Sequence, residues 1–141
     1  MSCFICDKHR GISNQPPGGY FYEDKHWKVC HFPADQSVLG RIVLESKRHF
    51  LDFAEMTEEE AASYGNVIKL LYAALKQVTE AERVYQLITI DGTPHFHVHF
   101  IPRGRDGKTR GLEYLRQELS CNEEDAIQLV NKLQVILNLS R

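Results

Sequence analysis

His95-Phe96-His97-Val98-His99-Phe100-Ile101 alternates imidazoles with apolar side chains. On a strand, successive side chains point to opposite faces, so the three histidines share one face and Phe96, Val98 and Phe100 share the other. The apolar set anchors the strand in a core, and the imidazoles form a ladder on its other side. Core filling is a poor explanation for them, because each buried imidazole needs polar partners. A single metal ion is equally poor, since a rise of roughly 3.3 Å per residue sets His95 and His99 roughly 13 Å apart. The geometry favours divided labour, with an end histidine orienting or binding a metal while a neighbour does chemistry. His97, with a polar neighbour on each side, is the best placed nucleophile toward a phosphorus or acyl centre.

Outward from this strand the chain reads as one α+β domain over 1–141. Tyr20–Glu23 and Lys25–His31 read as two strands about a turn at Asp24, and Arg41–Glu45 as a short third strand after Gly40. Thr57-Glu58-Glu59-Glu60 is a capping box. Behind it Ala61, Tyr64, Ile68, Leu71, Leu75 and Val78 recur at helical spacing. Val84–Asp91 reads as a buried strand, Asp91-Gly92-Thr93-Pro94 as a turn, and His95–Ile101 as a strand stopped by Pro102. A short helix over 112–119 and a longer one over about Glu123–Leu137, capped by Asn122 or Ser120, follow. The order predicts an antiparallel sheet with helices on one face.

A formal charge of −2 gives no global electrostatic reason to expect nucleic-acid binding. No apolar run approaches the roughly 20 residues needed to span a bilayer, and no signal-peptide pattern opens the chain. The expectation is a soluble cytoplasmic protein whose cysteines stay reduced. Cys3 and Cys6 then read as half of a tetrahedral zinc site, the other two ligands coming from elsewhere. Cys30 and Cys121 read as small, buried or half-buried hydrophobes, and His9 and His26 as surface residues.

The triad strand resembles the signature of the histidine triad superfamily of nucleotide hydrolases and transferases. The resemblance extends over a core of about residues 3–103, including the Cys3/Cys6 start, Gly40-Arg41-Ile42-Val43-Leu44 leading to Lys47-Arg48-His49, and the long helix. It implies a sheet of about five antiparallel strands with two main helices, extended at the C-terminus over about 104–141, and a homodimer. His97 would form a covalent nucleotidyl intermediate at the α-phosphate of a purine nucleotide, with His99 bonded to phosphate or leaving group. The substrate would be an adenosine phosphoramidate, a dinucleoside polyphosphate or a similar compound. Phe4, Ile5, His31 and Phe32 lie where the family builds its nucleoside wall, and Asp91, Thr93 and His99 complete the nucleotide site. A structural zinc would be held by Cys3, Cys6, His49 and His95.

The sequence departs from the family at three places. Arg41 stands where many members have histidine. Pro33, with Asp35 nearby, stands where an acidic ribose ligand is common. In the turn before the triad, Thr93 is the only hydroxyl where a Gln or Ser often assists the leaving group. Two other readings follow the same residues: a metal-dependent hydrolase with a catalytic metal on two triad histidines, and a non-catalytic nucleotide-binding adaptor. The basic loop Arg103–Gly111 reads as a solvated loop more readily than as a phosphate-attracting cover.

Overall fold

Capping and apolar patterning place the helices where the sequence asks for them. In the computed structural model, which describes residues 2–139, Thr57 Oγ1 accepts from the Glu60 amide while the Glu60 side chain returns to the Thr57 amide. That capping box starts a helix over Glu58–Thr79. Asn122, rather than Ser120, caps a second long helix over Glu123–Leu139 through its Oδ1 to the amides of Glu124 and Asp125. In chain order the helices are α1 (Phe4–His9), α2 (Glu58–Thr79), α3 (Gly111–Leu115) and α4 (Glu123–Leu139).

The strands are β1 (Tyr22–Glu23), β2 (Trp27–His31), β3 (Ile42–Ser46), β4 (Arg83–Leu87) and β5 (His97–Arg103). Among the described residues they form one antiparallel sheet in the order β1-β2-β3-β5-β4. The register Ile42↔Phe100 and Leu44↔Val98 turns those four side chains toward the helices, where all four are completely buried. Val43↔His99 and Glu45↔His97 face the other way. The chain is thus an α+β fold in which α2 and α4 cover one face and the polar residues of β3 and β5 occupy the opposite one.

The apolar side of α4, Ala126, Leu129, Val130, Leu133 and Leu137, is buried in the chain's own core, which settles a question the sequence leaves open. Gly40, just before β3, lets the chain pass close against β5 and the end of α2. Its φ of +94° suits glycine, and a Cβ there would lie 2.9 Å from Pro102 Cγ and 3.1 Å from Thr79 Cγ2.

Element boundaries differ from the sequence reading in instructive ways. The expected strand over Val84–Asp91 ends at Leu87, and the triad strand begins at His97 rather than His95. It also runs through Pro102 to Arg103. Beyond Phe100, β5 has no partner on the β3 side, so the missing Pro102 N–H costs no ladder bond there. The expected helix over 112–119 is one short turn, Gly111–Leu115. Helix α1 was not foreseen, because six residues are too few to show a period.

Candidate active site

Cys3 caps α1, its Sγ accepting from the Cys6 amide at 3.4 Å, so the two-residue spacing brings both thiols to one helix start. There they meet two histidines from distant parts of the chain. Cys3 Sγ lies 3.4 Å and Cys6 Sγ 3.6 Å from His95 Nδ1. His49 Nδ1 lies 3.6 Å from Cys6 Sγ and 3.1 Å from His95 Nδ1. All four ligand atoms fall within 4.8 Å of one another. Zinc bonds of roughly 2.05 Å to nitrogen and 2.3 Å to sulfur give tetrahedral edges of roughly 3.3 Å for N···N and 3.6 Å for N···S, so the donor set fits a zinc ion.

The tautomer of His95 fits as well. Its Nε2–H donates to the Ser46 carbonyl at 2.7 Å, which leaves the Nδ1 lone pair facing the thiols. Burial, reinforced by the neighbouring His49 and His9, holds this imidazole at about 4 against the effect of the Ser46 hydrogen bond, so it is neutral. Among the described residues this is the one group of such side chains close enough to hold a metal, and it includes neither His97 nor His99.

His95 therefore turns away from the other two triad residues. His97 and His99 stand on β5 with ring centroids 5.1 Å apart, edge to face. The Nδ1–H of His97 donates to the His95 carbonyl at 2.7 Å, which leaves the Nε2 lone pair free. On His99, Nδ1 accepts from Arg41 Nε at 3.3 Å and Nη2 at 3.2 Å. Burial lowers the His99 imidazole to about 3; the Arg41 charge, His97 and Lys8 act in the same direction, and Glu45 against them.

Glu45 is the site residue that the sequence reading passed over. It lies cross-strand from His97 and is 1% exposed. Its carboxylate accepts from Lys8 Nζ at 2.6 Å, His9 Nε2 at 2.9 Å and Tyr20 Oη at 2.7 Å. Burial alone would raise its pKa, but the hydrogen bond from His9, the charge and hydrogen bond of Lys8 and the Tyr20 hydroxyl outweigh burial and hold it at about 2. The signal was a single acid at an alternating position in the otherwise apolar run Ile42-Val43-Leu44-Glu45. This network also corrects the reading of His9 as a surface residue, since its side chain is 14% exposed and bound to Glu45. His26, likewise expected at the surface, is 15% exposed and paired with Glu59 at 3.1 Å. Cys30 is buried as expected, but beside charges, with Lys8 Nζ 3.4 Å from its sulfur.

His97 and His99 open onto a cleft of about 1230 Å³. Phe4, Ile5, His31, Phe32 and Thr93, named above as candidates for a nucleotide site, line it together with Lys8, Val43, Glu45 and Asp35. Two expectations need adjustment. Asp91 sits in the turn without lining the cleft. His31 has both ring nitrogens engaged within the protein, Nδ1 to the Phe32 carbonyl at 2.6 Å and Nε2 to the Gly40 amide at 2.9 Å, so it offers a ligand no hydrogen bond. Residues 104–111 do not line the cleft, in keeping with a solvated loop. The C-terminal extension does contribute, through Cys121 and Glu123. No helix among the described residues is long and apolar enough to cross a membrane.

No family model matches the sequence, and no curated protein does. Solved structures match it closely in shape. A hypothetical histidine triad nucleotide-binding protein from Sulfolobus tokodaii superposes with a TM-score of 0.77 at 21% identity, covering 99% of this chain and 95% of that one. A zinc-bound histidine triad family protein from Mycobacterium smegmatis gives 0.75 at 20% identity, covering 99% and 96%. A member of the same family from Bacillus subtilis gives 0.65 at 20% identity, covering 94% and 95%. At these identities the likeness establishes the fold: the chain has the fold of the histidine triad proteins.

Proposed function

We propose that this single-domain chain is a nucleotide hydrolase or transferase of the histidine triad type, with His97 as the nucleophile at the α-phosphorus of a bound nucleotide. The observation that carries this reading is the tautomer of His97. With Nδ1–H committed to the His95 carbonyl at 2.7 Å, Nε2 has its lone pair on the cleft side and keeps a stabilising partner for the positive charge that forms on the ring when Nε2 bonds to phosphorus. The reaction then proceeds in two in-line displacements, with water or another acceptor completing the second. His99 donates to a phosphoryl oxygen from Nε2. Phe4, Ile5 and Phe32 supply faces for a base, purine by the family resemblance, and Thr93 a hydroxyl near the phosphates.

A zinc ion on Cys3, Cys6, His49 and His95 has a structural role in this reading: it ties α1, which carries Ile5 and Lys8 into the cleft, to the residue two positions before the nucleophile. The metal-dependent alternative has less support, because among the described residues the one metal-ligating group takes only His95 from the triad, while His97 Nδ1 is bound to a carbonyl and His99 Nδ1 faces the Arg41 guanidinium. A homodimer follows from the family resemblance, and among the described residues the edge of β4 away from β5 carries no further strand.

The test is intact-protein mass spectrometry after brief acid quench from diadenosine tetraphosphate or an adenosine phosphoramidate. A mass gain of one adenylate, absent in His97→Ala, is expected, and the native spectrum should show one zinc per chain and a dimer. Nucleotide binding without adduct or turnover would instead identify a nucleotide-binding adaptor.

A further inference from the structure

Which bond such a site breaks depends on whether it can supply a proton. A phosphate oxygen leaves as a stable anion. The nitrogen of a phosphoramidate must be protonated as it leaves, because an amide ion is far too basic, and that requires a general acid.

Among the described residues lining the cleft, His31 and Glu45 are already engaged within the protein and burial holds the Cys121 thiol proton more tightly than usual, and the remaining candidates offer no acid either. His97 Nδ1–H is held by a carbonyl and Nε2 is consumed in the attack. His99 is fixed by Arg41. A guanidinium has only donors and stays charged, so with Arg41 Nε and Nη2 3.3 and 3.2 Å from it, His99 Nδ1 must present a lone pair and the ring proton must sit on Nε2. A second proton, the one that would make His99 an acid, belongs on the nitrogen that Arg41 occupies. Arg41 is itself held in place, with its guanidinium 4.7 Å from the Phe32 ring and Phe32 set edge-on to His99 at 5.2 Å. Lys8 donates to the Glu45 carboxylate at 2.6 Å and is engaged there. Asp35 and Glu123 are exposed carboxylates, which accept rather than donate. The Thr93 hydroxyl donates a hydrogen bond but not a proton near neutral pH.

We propose that Arg41 is a positioning residue that locks His99 as a neutral Nε2–H donor, and that the site therefore takes nucleotide phosphoanhydrides in preference to nucleotide phosphoramidates. This rests on His97 being the nucleophile. In the first step the Nε2 lone pair of His97 forms the P–N bond as the bridging P–O bond breaks, its electron pair leaving on the departing phosphate oxygen. In the second, water forms the new P–O bond, the P–N pair returns to Nε2, and the water proton passes to solvent. Neither step calls on the enzyme for an acid.

Two measurements on the full-length protein test this. Long-range ¹H–¹⁵N spectra of the histidines should show His99 protonated on Nε2 only and unchanged between about pH 5 and 8. Arg41→Met should allow the other tautomer or a titration in that range, whereas Arg41→Lys, still a pure donor, should preserve the wild-type pattern. In parallel, kcat/KM for diadenosine tetraphosphate should exceed that for adenosine 5′-phosphoramidate by roughly 100-fold or more. That ratio should fall at least tenfold in Arg41→Met and be retained in Arg41→Lys. A wild-type His99 that carries its proton on Nδ1, or titrates near neutrality, overturns the lock. A locked His99 with equal or faster phosphoramidate turnover overturns the substrate inference alone. No turnover of either compound, with no adduct on His97, removes the nucleophile reading and the substrate inference with it.

Discussion

Replacing Glu45 by alanine removes the acceptor shared by Lys8, His9 and Tyr20. Breaking a buried ion pair from one side costs about 3–5 kcal/mol, because the remaining charge is left without a partner. The Lys8 and His9 side chains are 10% and 14% exposed, so water relieves part of that cost. A loss of about 3 kcal/mol is therefore the expectation, with a fall in Tm of about 10 °C for a chain of this size. The effect must also depend on pH. Folding holds the carboxyl at about 2, below its ordinary 4.5, so its stabilisation is complete above about pH 4.5 and is lost as pH falls toward 2. Urea unfolding of the wild type and Glu45→Ala across this range isolates the effect, since losses common to both proteins, including metal release, cancel in the difference. The double variant Lys8→Met/Glu45→Met should recover much of the loss, the two positions being coupled. A difference below about 1 kcal/mol at pH 7, or one that persists unchanged near pH 2, would refute the account of Glu45 as an ionised clamp between α1 and β3.

Three further outcomes are expected. With zinc held as proposed by Cys3, Cys6, His49 and His95, native mass spectrometry should find the metal in the wild type and not in Cys6→Ser, and a strong chelator applied to the wild type should lower its Tm by several degrees. Gly40→Ala should cost about 2 kcal/mol or more in denaturant unfolding, because it combines a φ of +94° with a Cβ 2.9 Å from Pro102; a neutral outcome would mean that the β3 entrance is free to shift. Phe96→Ala should cost about 3–5 kcal/mol, since the ring is completely buried and stacks on Phe50 at 5.1 Å. Kinetics on any Phe96→Ala that folds would show whether the proposed nucleophile, His97, depends on this anchor.

The triad strand, the capped helix α2 and the apolar stripe of α4 could be read from the sequence because each is a local pattern. Alternation with period two, a capping box and helical spacing express backbone geometry, which neighbouring residues determine among themselves. The pairing of Cys3 and Cys6 as one half-site was likewise visible from their spacing. What the sequence alone did not determine was what these parts meet. Six residues of α1 show no period, yet with their N-cap Cys3 they bring both thiols, Lys8 and His9 to one place. Glu45 is one acid in an apolar strand until the sheet register sets it opposite His97 and brings α1 and Tyr20 against it. Arg41 reads in sequence only as a departure from the family pattern. Its effect on His99, 58 residues away along the chain, exists because β3 and β5 are neighbours. Tautomers, buried charges and metal ligands depend on distances of about 3 Å between groups remote in sequence, and only the folded chain sets those distances.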